Sequence, residues 1–298
     1  MSKLRLAGWL AIVAVLAIGI TACGSSKKKS SPGVTATKSS SIAAEVPAAI
    51  KSKGTLTIAA DATYAPNEFV KPGSSTIVGM DADLAKAIGQ VLGLKVKLVN
   101  VTFAAIIPGL AAHKYDLGMS SFTDNKEREK TVDFVTYFAA GTSFYVKSQG
   151  GPKIDNLGSL CGHKVAVEAG TTQKDDVTAQ QTKCKAAGKP AITLLVFPDQ
   201  NGANLALASG RAEVAMADSP VALYQVKATG GQVKLVGSPI SYGRAPYGIA
   251  IPKGSGLDKP ILDAVKQLIA NGQYTKILKT WNIQSGAITN PVINGATS

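Results

Sequence analysis

The chain has 298 residues, enough for two lobes of ordinary domain size, and its 45% hydrophobic and 17% charged residues give the balance of a globular protein. Its formal charge is +13, yet the basic residues of the body are dispersed and no basic helix carries interleaved aromatics, which argues against a nucleic-acid partner. Residues 1–47 supply +5 of that charge through Lys3, Arg5, Lys27, Lys28, Lys29 and Lys38 against Glu45, so attraction to anionic lipid or wall polymers is expected there.

The N-terminus has the form of an export signal. Lys3 and Arg5 precede an almost continuous apolar run from Ala7 to Ile20, short for a hydrocarbon core of ~30 Å. Ile20-Thr21-Ala22-Cys23-Gly24 then resembles a bacterial lipobox, with small residues before a cysteine. The expectation is a signal peptide over 1–22, diacylation of Cys23, and a flexible tether over 23–46 that is Ser-, Lys- and Ala-rich without apolar periodicity. That puts the protein on the extracytoplasmic face of the cell membrane, held by lipid. In an exported chain the two other cysteines, Cys161 and Cys184, read as a disulfide. The only histidines, His113 and His163, lack the spacing a zinc site needs, so neither metal nor cofactor is expected.

From Lys51 onward strand-like and helical stretches alternate. Residues 55–60 read as a strand, 81–92 as a helix with Leu84, Ile88 and Val91 on one face, 95–101 as a strand, 103–112 as a helix and 117–120 as a buried strand. After Tyr137 the pattern restarts with strand 163–167, helix 172–187, strand 192–197, helix 202–209, strand 214–217, helix 219–229 and strand 233–236. Strand 248–252 and helices 257–270 and 273–281 complete the chain. Such alternation predicts an α/β fold of parallel sheets covered by helices, in two lobes. Ligands of such sheets collect at the carboxyl ends of strands, where Ser120, Glu168 and Asp218 fall.

The stretch Met119-Ser120-Ser121-Phe122-Thr123, with Arg128 five residues on, carries the most chemistry. A guanidinium that can fork onto a carboxylate, beside hydroxyls and free backbone N–H groups, suits a small free acid. Without such a partner the charged run 124–130 is a solvated face. Thr172 opens a helix whose first N–H groups favour an anion, and it equally suits a plain cap. Asp218 stands before Ser219-Pro220, where it can cap the next helix. No nucleophile–base pair is evident, which argues against covalent catalysis.

Five motifs in order carry a resemblance to the family 3 extracellular solute-binding proteins, the amino-acid receptors of bacterial ABC importers. They are Asp61-Ala62-Thr63-Tyr64-Ala65-Pro66-Asn67-Glu68-Phe69, Gly79-Met80-Asp81-Ala82-Asp83-Leu84, the serine-to-arginine stretch, Gly170-Thr171-Thr172-Gln173 and Asp218-Ser219-Pro220. The resemblance spans about 51–283. It implies a two-lobed periplasmic-binding-protein-like type II fold, each lobe a mostly parallel sheet with helices on both faces, joined by a two-segment hinge near 141–146 and 238–245. Lobe 1 is expected over 47–141 plus 243–290, lobe 2 over 142–242, and a C-terminal tail over 291–298.

The same resemblance assigns roles. Arg128, with Thr123, matches the grip on a ligand α-carboxylate, joined by Thr171 and Thr172. Asp218, helped by Ser121, matches the partner of the α-ammonium. Tyr64 and Phe103 match aromatic positions lining the ligand side chain, and either also suits a core. Ser120 belongs to the same hydroxyl-rich turn. Asp61 and Glu168 approach the ligand side chain; two carboxylates there favour a cationic group or a polar amide and disfavour glutamate and aspartate. The implied protein is a monomer that captures a free polar L-amino acid by lobe closure and hands it to a membrane permease. Two alternatives stay open: a sensor coupled to a membrane kinase, and a cyclohexadienyl-dehydratase-like enzyme with Glu168 as its acid.

Overall fold

A computed structural model describes residues 35–297. The expected signal peptide, Cys23 and the first part of the expected tether lie outside the described residues. In chain order the elements are helices α1 (Ser40–Glu45) and α2 (Ala48–Lys53), strand β1 (Thr55–Ala60), short strands β2 (Thr63–Tyr64), β3 (Glu68–Val70) and β4 (Ile77–Val78), and helix α3 (Met80–Leu92). Strand β5 (Lys95–Asn100), helix α4 (Phe103–Ala111), strand β6 (Leu117–Gly118), helix α5 (Lys126–Glu129) and the long strand β7 (Val132–Lys147) follow. Then come β8 (Lys164–Glu168), α6 (Thr172–Ala186), β9 (Thr193–Phe197), α7 (Gln200–Ala208), β10 (Val214–Asp218), α8 (Ser219–Ala228) and β11 (Val233–Val236). Strand β12 (Tyr242–Pro252) and helices α9 (Asp258–Ala270) and α10 (Gln273–Trp281) close the series.

The main sheet runs β5-β1-β6-β12-β7-β10-β8-β9, with β11 also paired to β7. Its flanks are parallel: β1 lies between β5 and β6, and β8 between β10 and β9. In the middle, β7 and β12 are antiparallel and carry the chain between two halves. Strand β7 faces β12 over Val132–Ala140, then turns to β10 and β11 over Thr142–Lys147. The register of β12 slips between Tyr242 and Ala245, at the same level. Each half is one lobe of the α/β fold.

Local sequence explains the layers. In β1, Leu56 and Ile58 are fully buried, each contributing about 1.5–3 kcal/mol by leaving water. The edge strand β5 alternates exposed Lys95 and Lys97 with half-buried Val96 and Leu98, and the lysines discourage further pairing. Helix α3 carries Asp81 and Asp83 in its first turn and stops at Gly93, whose left-handed backbone returns its N–H to the last carbonyls. Leu84, Ile88 and Val91 pack with Tyr137, Ile249 and Leu268 in the first lobe's core, while Phe144, Val165, Val177 and Met216 build the second's. There Cys161 and Cys184 form a disulfide with Cα atoms 5.7 Å apart.

Three features depart from expectation. The tether does not run free to residue 46: Ser40–Glu45 is helical, Ile42 packs on the first core, Val46 is buried, and Ser39 N–H donates to Val91 O. Six residues are too few for helical periodicity to show. The described part of the expected tail, 291–297, is docked, since Thr136 exchanges hydrogen bonds with Val292, Asn294 Oδ1 accepts from Phe134 N–H, and Gly295 N–H donates to Asp124. Finally, β7 and the small β2-β3-β4 sheet have no counterpart among the expected strands.

Candidate functional site

A crevice between the lobes is lined by Tyr64, Phe103, Ser121, Thr123 and Arg128 on one side. Thr171, Thr172, Gln173, Gln200, Ala217, Asp218 and Val221 line the other. The cavity among them measures about 20 Å³, room for about one water, so anything larger enters only when the walls part.

On the first wall the loop after β6 turns through Ser121, whose φ of 50° is unusual for a residue with a side chain. Buried partners hold it there. Ser121 N–H donates to Asp81 Oδ2 at 3.0 Å, its hydroxyl donates to Glu68 Oε2 at 3.1 Å, and Asn67 Nδ2 donates to that hydroxyl at 2.9 Å. Tyr137 donates to both Asp81 oxygens at 2.8 Å. Burial pushes Asp81 up to about 6 and Glu68 well above the carboxylate range, with Asp81's charge adding to the latter. The Gly79-Met80-Asp81 motif therefore acts from behind, shaping the loop. Gly79 itself has no room for a Cβ against Asn67 O.

Arg128 sits in the short helix α5, whose cap Asn125 accepts its N–H at 2.9 Å. Its guanidinium carbon lies 5.2 Å from the Phe103 ring centre and 5.5 Å from that of Phe122, a cation–π arrangement. Nη1 donates to Thr123 O at 2.7 Å and Nη2 crosses the crevice to Gly170 O at 3.0 Å. Burial lowers its pKa, but the guanidinium starts so far above neutrality that it stays charged at neutral pH. Three of its five N–H donors remain for a planar anion.

On the second wall Thr171 caps α6, accepting from Lys174 N–H, and Thr172 is its first helical residue. Asp218 ends β10 and does not cap α8 with its side chain. Its Oδ1 accepts from Gln173 Nε2 and its Oδ2 from Tyr247, both at 2.6 Å. Burial raises its pKa, while Tyr247, Gln173 and the charge of Arg128 pull the other way. A cation from one lobe and an anion from the other thus face one crevice.

The sequence profile of the bacterial extracellular solute-binding proteins, family 3, matches residues 56–284. The chain belongs to this family. An arginine-binding protein of Corynebacterium glutamicum, ArgT, is 35% identical over 254 residues, or 85% of this chain and 82% of ArgT. The glutamine-binding protein GlnH of a Bacillus subtilis ABC transporter is 33% identical over 70% of this chain and 74% of its own length. The solved structure of an ancestral arginine-binding protein bound to arginine is 38% identical, with a TM-score of 0.70 over 76% of this chain and 98% of that one. Among the described residues no helix is long and apolar enough to cross a membrane.

Within this family 3 chain, Asp61, Ser120 and Glu168 stand behind the crevice wall. Asp61 accepts from Thr63 at 2.7 Å and from Phe103 N–H at 2.9 Å, at the start of α4, while its own N–H donates to Ser120 Oγ at 2.8 Å. Those two brace the first wall. Glu168 is 1% exposed and stands beside the Tyr64 hydroxyl and Asp61, yet neither its carboxyl oxygens nor the Tyr64 hydroxyl make a hydrogen bond of normal geometry. Burial, then the charge of Asp61, pushes Glu168 up to about 9. Buried polar atoms left unpaired are costly, so they point to a partner.

Sequence reasoning named neither Gln173 nor Gln200 as wall residues. Gln173 stood inside a quoted motif. Gln200 is the first residue of α7, just past the carboxyl end of β9, the place already used to single out Ser120, Glu168 and Asp218.

Proposed function

We propose that this chain is a lipid-anchored receptor that captures a free polar amino acid, with a basic one preferred, and delivers it to an ABC permease. The observation that carries this reading is the pairing of Arg128 and Asp218 from opposite lobes on one crevice. Arg128, Thr123 and the first N–H groups of α6 take the α-carboxylate; Asp218, oriented by Tyr247 and Gln173, takes the α-ammonium. Tyr64 and Phe103 flank the aliphatic part of the side chain. Glu168, with Asp61 beside it, holds a proton that a cationic end group displaces, leaving a carboxylate that pairs with the cation and repels a second carboxylate. The named relatives bind arginine or glutamine, which supports this class.

Closure is favourable chiefly when the ligand completes the pairing, because an unpaired buried charge is costly. The lobes, 47–141 plus 243–290 and 142–242, move about the crossings of β7 and β12. Cys23 holds the monomer on the outer face of the membrane.

A thermal-shift screen of the twenty amino acids tests this. A ligand at a hundredfold excess over its dissociation constant adds ~2.7 kcal/mol, several degrees for a chain of this size. Arginine or lysine should give the largest shifts, and no shift with any amino acid would remove the reading. A second reading rests on Glu168, since a buried acid that keeps its proton at neutral pH is what an elimination reaction needs. Turnover of prephenate or arogenate would favour it.

A further inference from the structure

Gln200 is 3% exposed and lines the crevice, yet its amide is already partly engaged. Nε2 donates to the Tyr145 hydroxyl at 2.9 Å and reaches Asn204 Oδ1 at 3.3 Å. The Tyr145 hydroxyl has a single proton and gives it to Asn204 Oδ1 at 2.5 Å, so toward Gln200 it can only accept. Both amide hydrogens of Gln200 are thereby spent inside lobe 2. What the side chain can still offer is its carbonyl oxygen, which accepts no hydrogen bond from the described residues and is not among the buried atoms without a partner. The main-chain N–H of Gln200 donates to Thr63 Oγ1 at 3.3 Å, and Thr63 in turn donates to Asp61. The Gln200 main chain therefore stands at the Asp61 end of the crevice, and Glu168 acts electrostatically on the Tyr145 hydroxyl to which the side-chain amide donates.

We propose that Tyr145 and Asn204 fix the Gln200 amide with its carbonyl toward the ligand, making Gln200 a selector for a guanidinium end group against its neutral ureido isostere. This deepens the basic-amino-acid reading above and rests on it. A guanidinium presents donors only, and meets the Gln200 oxygen and the Glu168 carboxylate together. A ureido group in the same orientation turns its carbonyl toward the Gln200 oxygen, leaves that acceptor unpaired and has no charge with which to displace the Glu168 proton, a misfit that sites built for hydrogen bonding reject strongly. Gln200 touches the ligand; Tyr145 is a positioning residue.

The test is calorimetric titration of the full chain with L-arginine and L-citrulline, for the natural protein and for Tyr145→Phe and Asn204→Asp. The natural protein should prefer arginine by about a hundredfold or more. Tyr145→Phe frees the amide to turn its N–H outward, so arginine should weaken about tenfold while citrulline holds or improves, and the ratio narrows. A merely structural defect would weaken both ligands by one factor. Asn204→Asp keeps an acceptor for both donors and should keep the ratio, which also covers the case in which Tyr145→Phe fails to fold. An unchanged ratio in Tyr145→Phe, a ratio that collapses in Asn204→Asp, or a natural protein that binds arginine and citrulline alike overturns the inference and leaves the receptor reading standing. Binding of no amino acid at all removes both.

Discussion

The carbonyl oxygen of Gly170 accepts a hydrogen bond of 3.0 Å from Arg128 Nη2, so the residue proposed to grip the ligand also ties the two lobes together. Gly170 can do this because its φ of 78° turns the carbonyl outward at the start of α6, and because it has no side chain. A Cβ there would stand 3.1 Å from both Cα and Cβ of Ala104 on the other lobe. Gly170→Ala should therefore strain the backbone by about 1–2 kcal/mol and wedge the lobes apart. Calorimetry should show roughly tenfold weaker binding, and small-angle scattering a larger radius for the ligand-saturated variant. Unchanged values of both would mean that closure does not bring these residues together.

Arg128→Ala removes the fork proposed for the α-carboxylate and leaves that group facing Phe103 and Phe122 without a cation. The expected loss is about 3 kcal/mol or more in binding, with the ligand-free chain still folded because α5 is a short surface helix. Arg128→Lys keeps the charge but not the paired donors, and should fall between the two. Titration calorimetry decides it; an alanine variant with natural affinity would assign the carboxylate to another group.

Asp218→Asn keeps the shape and one acceptor for Tyr247 or Gln173 while removing the charge. Amino acids should lose about 2–5 kcal/mol, whereas analogues lacking the α-amino group should change little. Equal losses for both ligand types would contradict ammonium pairing at this position.

How much of this was readable from sequence follows the range of the forces involved. The strands at 55–60 and 233–236 and the helix at 273–281 match the structure residue for residue, because each is bounded by local turn signals. The residues placed at strand ends fall at or just beyond them, with Glu168 and Asp218 closing β8 and β10. Strand β7 was invisible. Val132–Lys147 is covered on both faces for nearly its whole length, so its apolar residues and the scattered Asp133, Thr136, Thr142 and Ser143 show no alternation that marks a strand. The docking of 291–297 depends on Asn294, whose side chain and αL backbone match Phe134 some 160 positions away. Gln200 escaped for a similar reason: its orientation is set by Tyr145, on a strand 55 residues earlier.

Glu168 ties stability, protons and ligand choice together. Its pKa stands near 9 in the folded chain against an ordinary 4.5, so the folded state holds a proton that the unfolded chain releases between those values. The linkage has a definite sign: this group's contribution is most favourable below about pH 4.5 and declines as pH rises toward 9. At pH 7 the cost is about 3 kcal/mol, and Glu168→Gln should recover part of it, raising the melting temperature of the ligand-free protein and flattening its pH dependence. The same variant should bind arginine or lysine more weakly while glutamine is spared. A cationic side chain favours the carboxylate and expels the proton, so binding of a basic amino acid at pH 7 should release up to about one proton, and binding of glutamine none. Titrations in two buffers of different ionisation enthalpy read this directly. Identical proton counts for arginine and glutamine would detach Glu168 from the choice of ligand, whatever the melting curves show.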